Sequence, residues 1–109
     1  NQNINSKKTL NIFLNFGGQE EIVELINFFK KENIKVSIDN IHKYFFKDKY
    51  NSPEILIRTG GFKRLSNFIL YQISFTELFF LKKLWPDFNN TDLDKIINKY
   101  YLTDRKFGI

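Results

Sequence analysis

Two short apolar runs, each closed by a Gly-Gly pair, constrain this chain more than any other feature. Residues 10–16 (LNIFLNF) run into Gly17-Gly18, and residues 54–59 (EILIRT) run into Gly60-Gly61. A continuous apolar run of this length that ends in a turn signal reads as a strand buried on both faces. After the first pair the period changes. In QEEIVELINFFKK the apolar residues Ile22, Leu25, Ile26 and Phe29 fall on one helical face, with Glu20 and Glu21 in the first turn and Lys30 and Lys31 in the last. Both ends complement the helix dipole.

The rest of the chain continues the alternation. Ser37 is placed to cap a second short helix carrying Ile38, Ile41 and Phe45, and KDKYNSP (47–53) reads as a turn. EILIRTG is a strand, LSNFILYQIS (65–74) a short helix, TELFFL (76–81) a third strand, and KKLWPDFNN (82–90) a loop broken by Pro86. Thr91 begins T-x-x-D, a capping-box variant, and Leu93, Ile96, Ile97 and Tyr100 repeat the helical spacing. Apolar strands alternating with helices predict an α/β fold whose mainly parallel sheet is flanked by helices.

A length of 109 residues suits one core and not two domains. The chain holds no methionine, so Asn1 is not an initiator, and residues 1–109 are read as a single partial domain. Its net charge of +5 comes largely from Lys, which arrives with abundant Asn, Ile and Phe and no Ala, a usage typical of AT-rich coding sequence. A small basic RNA-binding domain would need exposed aromatics interleaved with Arg, whereas these aromatics occupy core spacings, and no nucleic-acid partner is expected. The absence of cysteine excludes disulfides and thiolate metal ligands. No apolar run reaches the roughly 18 to 20 residues that span a bilayer, and the expected location is cytoplasmic.

Of the two Gly-Gly turns, only the second suits an anion. Glu20 and Glu21 follow the first, and their charge opposes a phosphate there, so that turn reads as structural. The second lies among Arg58, Lys63 and Arg64, with Ser66 and Asn67 at the expected helix N-cap and no acid between Arg58 and Asn67. Backbone N–H groups and a helix dipole are expected to converge there. The chain has only three arginines, and guanidinium grips two phosphate oxygens at once where lysine offers a point charge. Glu77, inside an apolar strand, needs either water, a partner or a metal. His42 has no evident partner and is assigned no role, and the Phe-rich positions read as core rather than as a hydrocarbon tunnel.

These residues carry a resemblance. PEILIRTGGFKRLSNFILYQISFTELFFLKKLWPDF resembles the C-terminal signature of the cis-prenyltransferases, the undecaprenyl diphosphate synthase family. LNIFLNFGGQEEIV and RKFG resemble further family segments in the same order. The resemblance implies a homodimeric, magnesium-dependent enzyme that condenses isopentenyl diphosphate onto an allylic diphosphate, making a long-chain product that associates with membrane, the enzyme itself being cytoplasmic or peripheral to that membrane. It implies that Arg58, Arg64, Leu65 and Ser66 bind the diphosphate of isopentenyl diphosphate and that Glu77 belongs to the Mg²⁺ site.

The chain departs from the family pattern at Phe62, where Glu is usual, at Tyr71, where Trp is usual, and at Phe75, where Tyr is usual. It also lacks the D-G-N-G-R-W motif, so no catalytic residue is expected in it and the isolated chain is expected to be inactive. The alternative is a non-catalytic subunit of a heteromeric enzyme. Such subunits tend to lose diphosphate-site residues, whereas Arg58, Arg64, Ser66 and Glu77 are all present. The resemblance predicts that coding DNA upstream of Asn1 encodes a strand ending in D-G-N-G-R-W or a close variant. A start codon directly before Asn1, with stable expression of a folded monomer, would overturn that expectation.

Overall fold

The computed structural model describes residues 9–46 and 52–104. The expected turn over residues 47–53 lies mostly outside these, as does the RKFG segment. Helix α1 spans Gly18–Lys31, α2 Ile38–Phe46 and α3 Asn90–Leu102, and strands β1, Ile55–Arg58, and β2, Glu77–Phe80, form a parallel pair. The α/β expectation is borne out.

Helix α1 forms where its apolar spacing puts it. It ends in a left-handed Asn33, with Asn33 N–H bonded to Lys30 O and Ile34 N–H to Phe29 O, the reverse-turn pattern that satisfies the last carbonyls. The chain then turns back into α2, whose start is capped as expected: Ser37 Oγ accepts from Asn40 N–H at 3.2 Å. Leu25 and Phe29 of α1 join Phe45 and Phe46 of α2 in the core, and Tyr71 stacks on Phe45 with ring centroids 4.4 Å apart.

Three local expectations fail. Residues 10–16 do not form a strand. Among the described residues they have no neighbouring strand to bond with, and Leu10, Ile12 and Leu14 are 84, 73 and 83 % exposed. Residues 65–74 do not form a helix. Ser66 and Asn67 both adopt positive φ, 51° and 63°, a left-handed pair that cannot start a right-handed helix, and the segment becomes a series of turns closed by Phe68 N–H to Leu65 O and Ser74 N–H to Tyr71 O. The capping box of α3 lies two residues earlier than expected, on Asn89 and Asp92 rather than Thr91, because Lys83 Nζ holds both Asp92 oxygens at 2.9 and 3.0 Å.

The failed helix explains the first Gly-Gly turn. Gly17, at the N-cap of α1, has no side chain to offer the orphan N–H groups. Asn67 supplies the cap from 48 residues away, its Oδ1 accepting from Gln19 N–H at 2.9 Å, its backbone carbonyl from Gly18 N–H at 2.7 Å, while its Nδ2 donates to Glu20. A Cβ on Gly18 would lie 2.7 Å from Leu70 Cγ and 3.1 Å from the Leu70 backbone nitrogen, so this close approach favours glycine there. The turn is structural, as its acids implied.

Asn67→Ala should therefore destabilise the fold by about 1 kcal/mol, the usual worth of a helix cap. The Glu20 carboxyl lies below its ordinary pKa, through its own backbone N–H and then the Asn67 amide. Its contribution is present above that ordinary pKa and fades as pH falls through the lowered one. Urea melts should show the gap between the native protein and Asn67→Ala narrowing on acidification; a gap independent of pH would contradict the link.

Candidate functional site

The crossover from β1 to β2, residues 59–76, leaves the sheet at the carboxyl end of β1, where α/β folds place ligands. Arg58 is the last residue of that strand. Its Nη1 donates to the backbone carbonyl of Arg64 and to Ser66 Oγ, the latter at 2.9 Å, so one guanidinium closes the loop that follows Gly60-Gly61. Ser66 can present its hydroxyl to Arg58 because its left-handed backbone turns it back over the loop. The hydroxyl keeps its own proton for a further acceptor.

Arg58, Arg64, Leu65 and Ser66 line one cleft of about 300 Å³, with Leu56, Ile57 and Phe68 forming its apolar side. All four expected diphosphate-side residues thus meet in one place. Phe68 in turn packs edge-on against Phe13 and Phe16, with ring centroids 5.6 and 6.2 Å away, which ties the cleft wall to the segment before α1. Charge is one-sided, since the ten residues from Arg58 to Asn67 carry three cations and no acid.

The Gly-Gly amides do not take part as expected. Gly60 N–H bonds to Lys83 O at 2.7 Å and Gly61 N–H to Leu81 O at 2.9 Å, continuing the sheet ladder past the ends of the strands. Both glycines have positive φ, 95° and 85°, which only glycine adopts without strain. With these amides consumed and no helix behind them, an anion here is met by side chains, chiefly the guanidiniums and the Ser66 hydroxyl.

Glu77 is not part of this cluster. The parallel register sets it opposite Ile55, three residues before Arg58, so roughly 10 Å of strand separates it from Arg58 at the cationic end of the cleft. Among the described residues no three acidic, His or Cys side chains gather into a metal-binding group. Glu77 alone does not make a Mg²⁺ site, which takes near-octahedral oxygen coordination. His42 packs against Phe46 with ring centroids 4.2 Å apart.

Two residues escaped the sequence reading. Asn67 was placed at a cap, which is right in kind, but it caps α1. Phe62 lies beneath Arg64, whose guanidinium carbon stands 4.2 Å from the ring centroid. The local sequence G-G-F-K-R gave no sign that the ring has this use.

A parallel strand pair with helices α1 to α3, and a cleft at the carboxyl end of its first strand that joins two guanidiniums to an apolar wall, defines an α/β protein. The chain belongs to the family described as putative undecaprenyl diphosphate synthase, whose profile matches residues 1–108. It is 40 % identical over 105 residues to an isoprenyl transferase of Fusobacterium nucleatum, covering 95 % of this chain and 45 % of that protein. It is 37 % identical to the ditrans,polycis-undecaprenyl-diphosphate synthase of Micrococcus luteus, covering 95 % of this chain and 45 % of that protein. The fold matches the crystal structure of a probable undecaprenyl diphosphate synthase from Campylobacter jejuni with a TM-score of 0.77 and 26 % identity over 88 % of this chain and 45 % of that one. It also matches lavandulyl diphosphate synthase from Lavandula x intermedia, solved with dimethylallyl diphosphate, with a TM-score of 0.73 and 34 % identity over 86 % and 44 % of the two chains. The chain spans about half the length of these relatives.

If Arg58 closes the loop, Arg58→Lys keeps a charge but cannot reproduce the planar two-acceptor grip. Ser66→Ala removes only one of its two acceptors, at a cost of about 1.5 to 3 kcal/mol for a hydrogen bond to a charged group, discounted toward the low end by exposure. Hydrogen exchange at the amides of residues 61–66 should rise more in Arg58→Lys than in Ser66→Ala. Equal protection in both variants and the native protein would contradict the closure.

Proposed function

We propose that this chain is the C-terminal portion of a cis-prenyltransferase catalytic domain and supplies the isopentenyl diphosphate side of its active site. The observation that carries this reading is the meeting of Arg58, Arg64 and Ser66 in one acid-free cleft, in a member of a prenyl diphosphate synthase family. Departure of the allylic diphosphate leaves an electrophilic carbon, which the alkene of isopentenyl diphosphate attacks; the new carbon–carbon bond leaves a cationic carbon, and loss of a proton from its neighbour forms the product double bond. That attack requires the second diphosphate to be fixed while its hydrocarbon end is free to reach the allylic carbon. The cationic end of the cleft suits the diphosphate, and Leu56, Ile57 and Phe68 suit the short hydrocarbon. Groups that hold the allylic diphosphate are assigned to the rest of a complete, homodimeric enzyme, and the long product to a membrane.

Magnesium, if used, needs ligands beyond Glu77. Phosphate oxygens and a carboxylate from elsewhere in the enzyme complete such a site in the usual way, since Mg²⁺ binds through one or two carboxylates and its substrate. A role for Glu77 therefore makes a specific demand. Glu77→Gln in the complete enzyme should raise the Mg²⁺ concentration needed for half-maximal rate while the melting temperature stays put; superimposable metal curves would remove Glu77 from the site.

Arg64→Ala in the complete enzyme should weaken isopentenyl diphosphate binding by about 1.5 to 3 kcal/mol, seen as a raised KM, with Arg64→Lys recovering only part of it. An unchanged KM in both variants would refute this assignment of the cleft.

A further inference from the structure

Phe62 is an apolar ring on the tip of a cationic loop, 53 % exposed. Arg64 covers one face of it at 4.2 Å and the Arg58 guanidinium carbon lies 6.0 Å from the same centroid, so both cations are within reach of the ring's negative face. Among the described residues the one ion pair is Lys83 with Asp92, and neither guanidinium has a carboxylate partner. Two like charges, one at the end of β1 and one on the loop after it, therefore share a phenyl ring and have no carboxylate partner among the described residues.

That arrangement differs physically from a carboxylate at the same place. A carboxylate would also hold Arg64, but by occupying its N–H fork and cancelling its charge. A ring holds the guanidinium by its flat face and leaves the in-plane N–H donors open. By restricting the side chain before binding, the ring lowers the entropy lost when Arg64 meets a ligand. Arg58, with its Nη1 spent on the Arg64 carbonyl and Ser66, fixes the loop that carries both.

We infer that Phe62 is a positioning residue, which sets Arg64 beside Arg58 as an uncompensated pair for a diphosphate group. The inference rests on the proposed isopentenyl diphosphate site and adds to it the residue that pre-orders its second arginine. It implies that the ring face, rather than the apolar bulk of Phe62, contributes to affinity.

The test is calorimetric titration of the complete enzyme with inorganic pyrophosphate, comparing the native protein with Phe62→Leu, Phe62→Tyr and Arg64→Ala, together with KM values for both substrates. Phe62→Leu should weaken pyrophosphate by roughly two- to fivefold, the worth of one exposed cation–π contact, and raise the KM for isopentenyl diphosphate by the same factor. The KM for the allylic diphosphate should not move, and Phe62→Tyr should restore native binding. If Arg64→Ala loses pyrophosphate while Phe62→Leu binds like the native protein, the site stands and the role of Phe62 falls. If Phe62→Leu weakens binding and Phe62→Tyr fails to restore it, the ring face is not the cause and the inference falls likewise. If Arg64→Ala also binds as the native protein does, the diphosphate reading itself has failed and takes the inference with it.

Discussion

The grip of Asn67 on the amino end of α1 is the contact on which the rest of the described structure depends. Its carbonyl and side chain together satisfy two N–H groups that Gly17 cannot serve, and its amide steadies Glu20. Gln72, buried nearby, donates to Glu21 at 2.8 Å, so both acids of the first helical turn bond to the crossover segment, Glu20 while still exposed. The left-handed backbone that aims Asn67 at α1 also aims Ser66 the other way, at Arg58. One irregular pair of residues thus joins the helical core to the cationic cleft.

Much of this was legible where the physics is local. The apolar spacing of α1, the Ser37 cap and the two runs that became β1 and β2 follow from period and turn chemistry over a few residues. Residues 10–16 have the pattern of a strand without forming one, because a strand exists only by pairing, and no run of side chains states whether a neighbour is present. The helix expected at 65–74 failed for a different reason: its N-cap residues serve distant partners, 48 positions away for Asn67, and a residue spent that way cannot also begin a helix.

The cleft divides along the same line. Scarce arginines and the lack of acids marked the place correctly, since charge and hydrogen-bonding capacity belong to each residue wherever it folds. The backbone amides of Gly60 and Gly61 were assigned to an anion because nothing in the sequence reveals that residues 81–83 continue the ladder and take them. Glu77 stands in the same signature as the arginines, and the parallel register sets it opposite Ile55, at the start of the strand pair whose far end carries Arg58. Phe62 stands for the converse: in the sequence it is only a departure from the family's usual Glu, and its contact with Arg64 exists only in the folded loop.

The central claim is that the cluster at the end of β1 receives a diphosphate, and a crystal structure of the complete enzyme with an unreactive thiolo analogue of isopentenyl diphosphate tests it most directly. The account predicts phosphate oxygens within hydrogen-bonding distance of the Arg64 guanidinium and the Ser66 hydroxyl, with the hydrocarbon along Leu56, Ile57 and Phe68. An analogue bound elsewhere, with Arg64 and Ser66 untouched by it, would contradict the account.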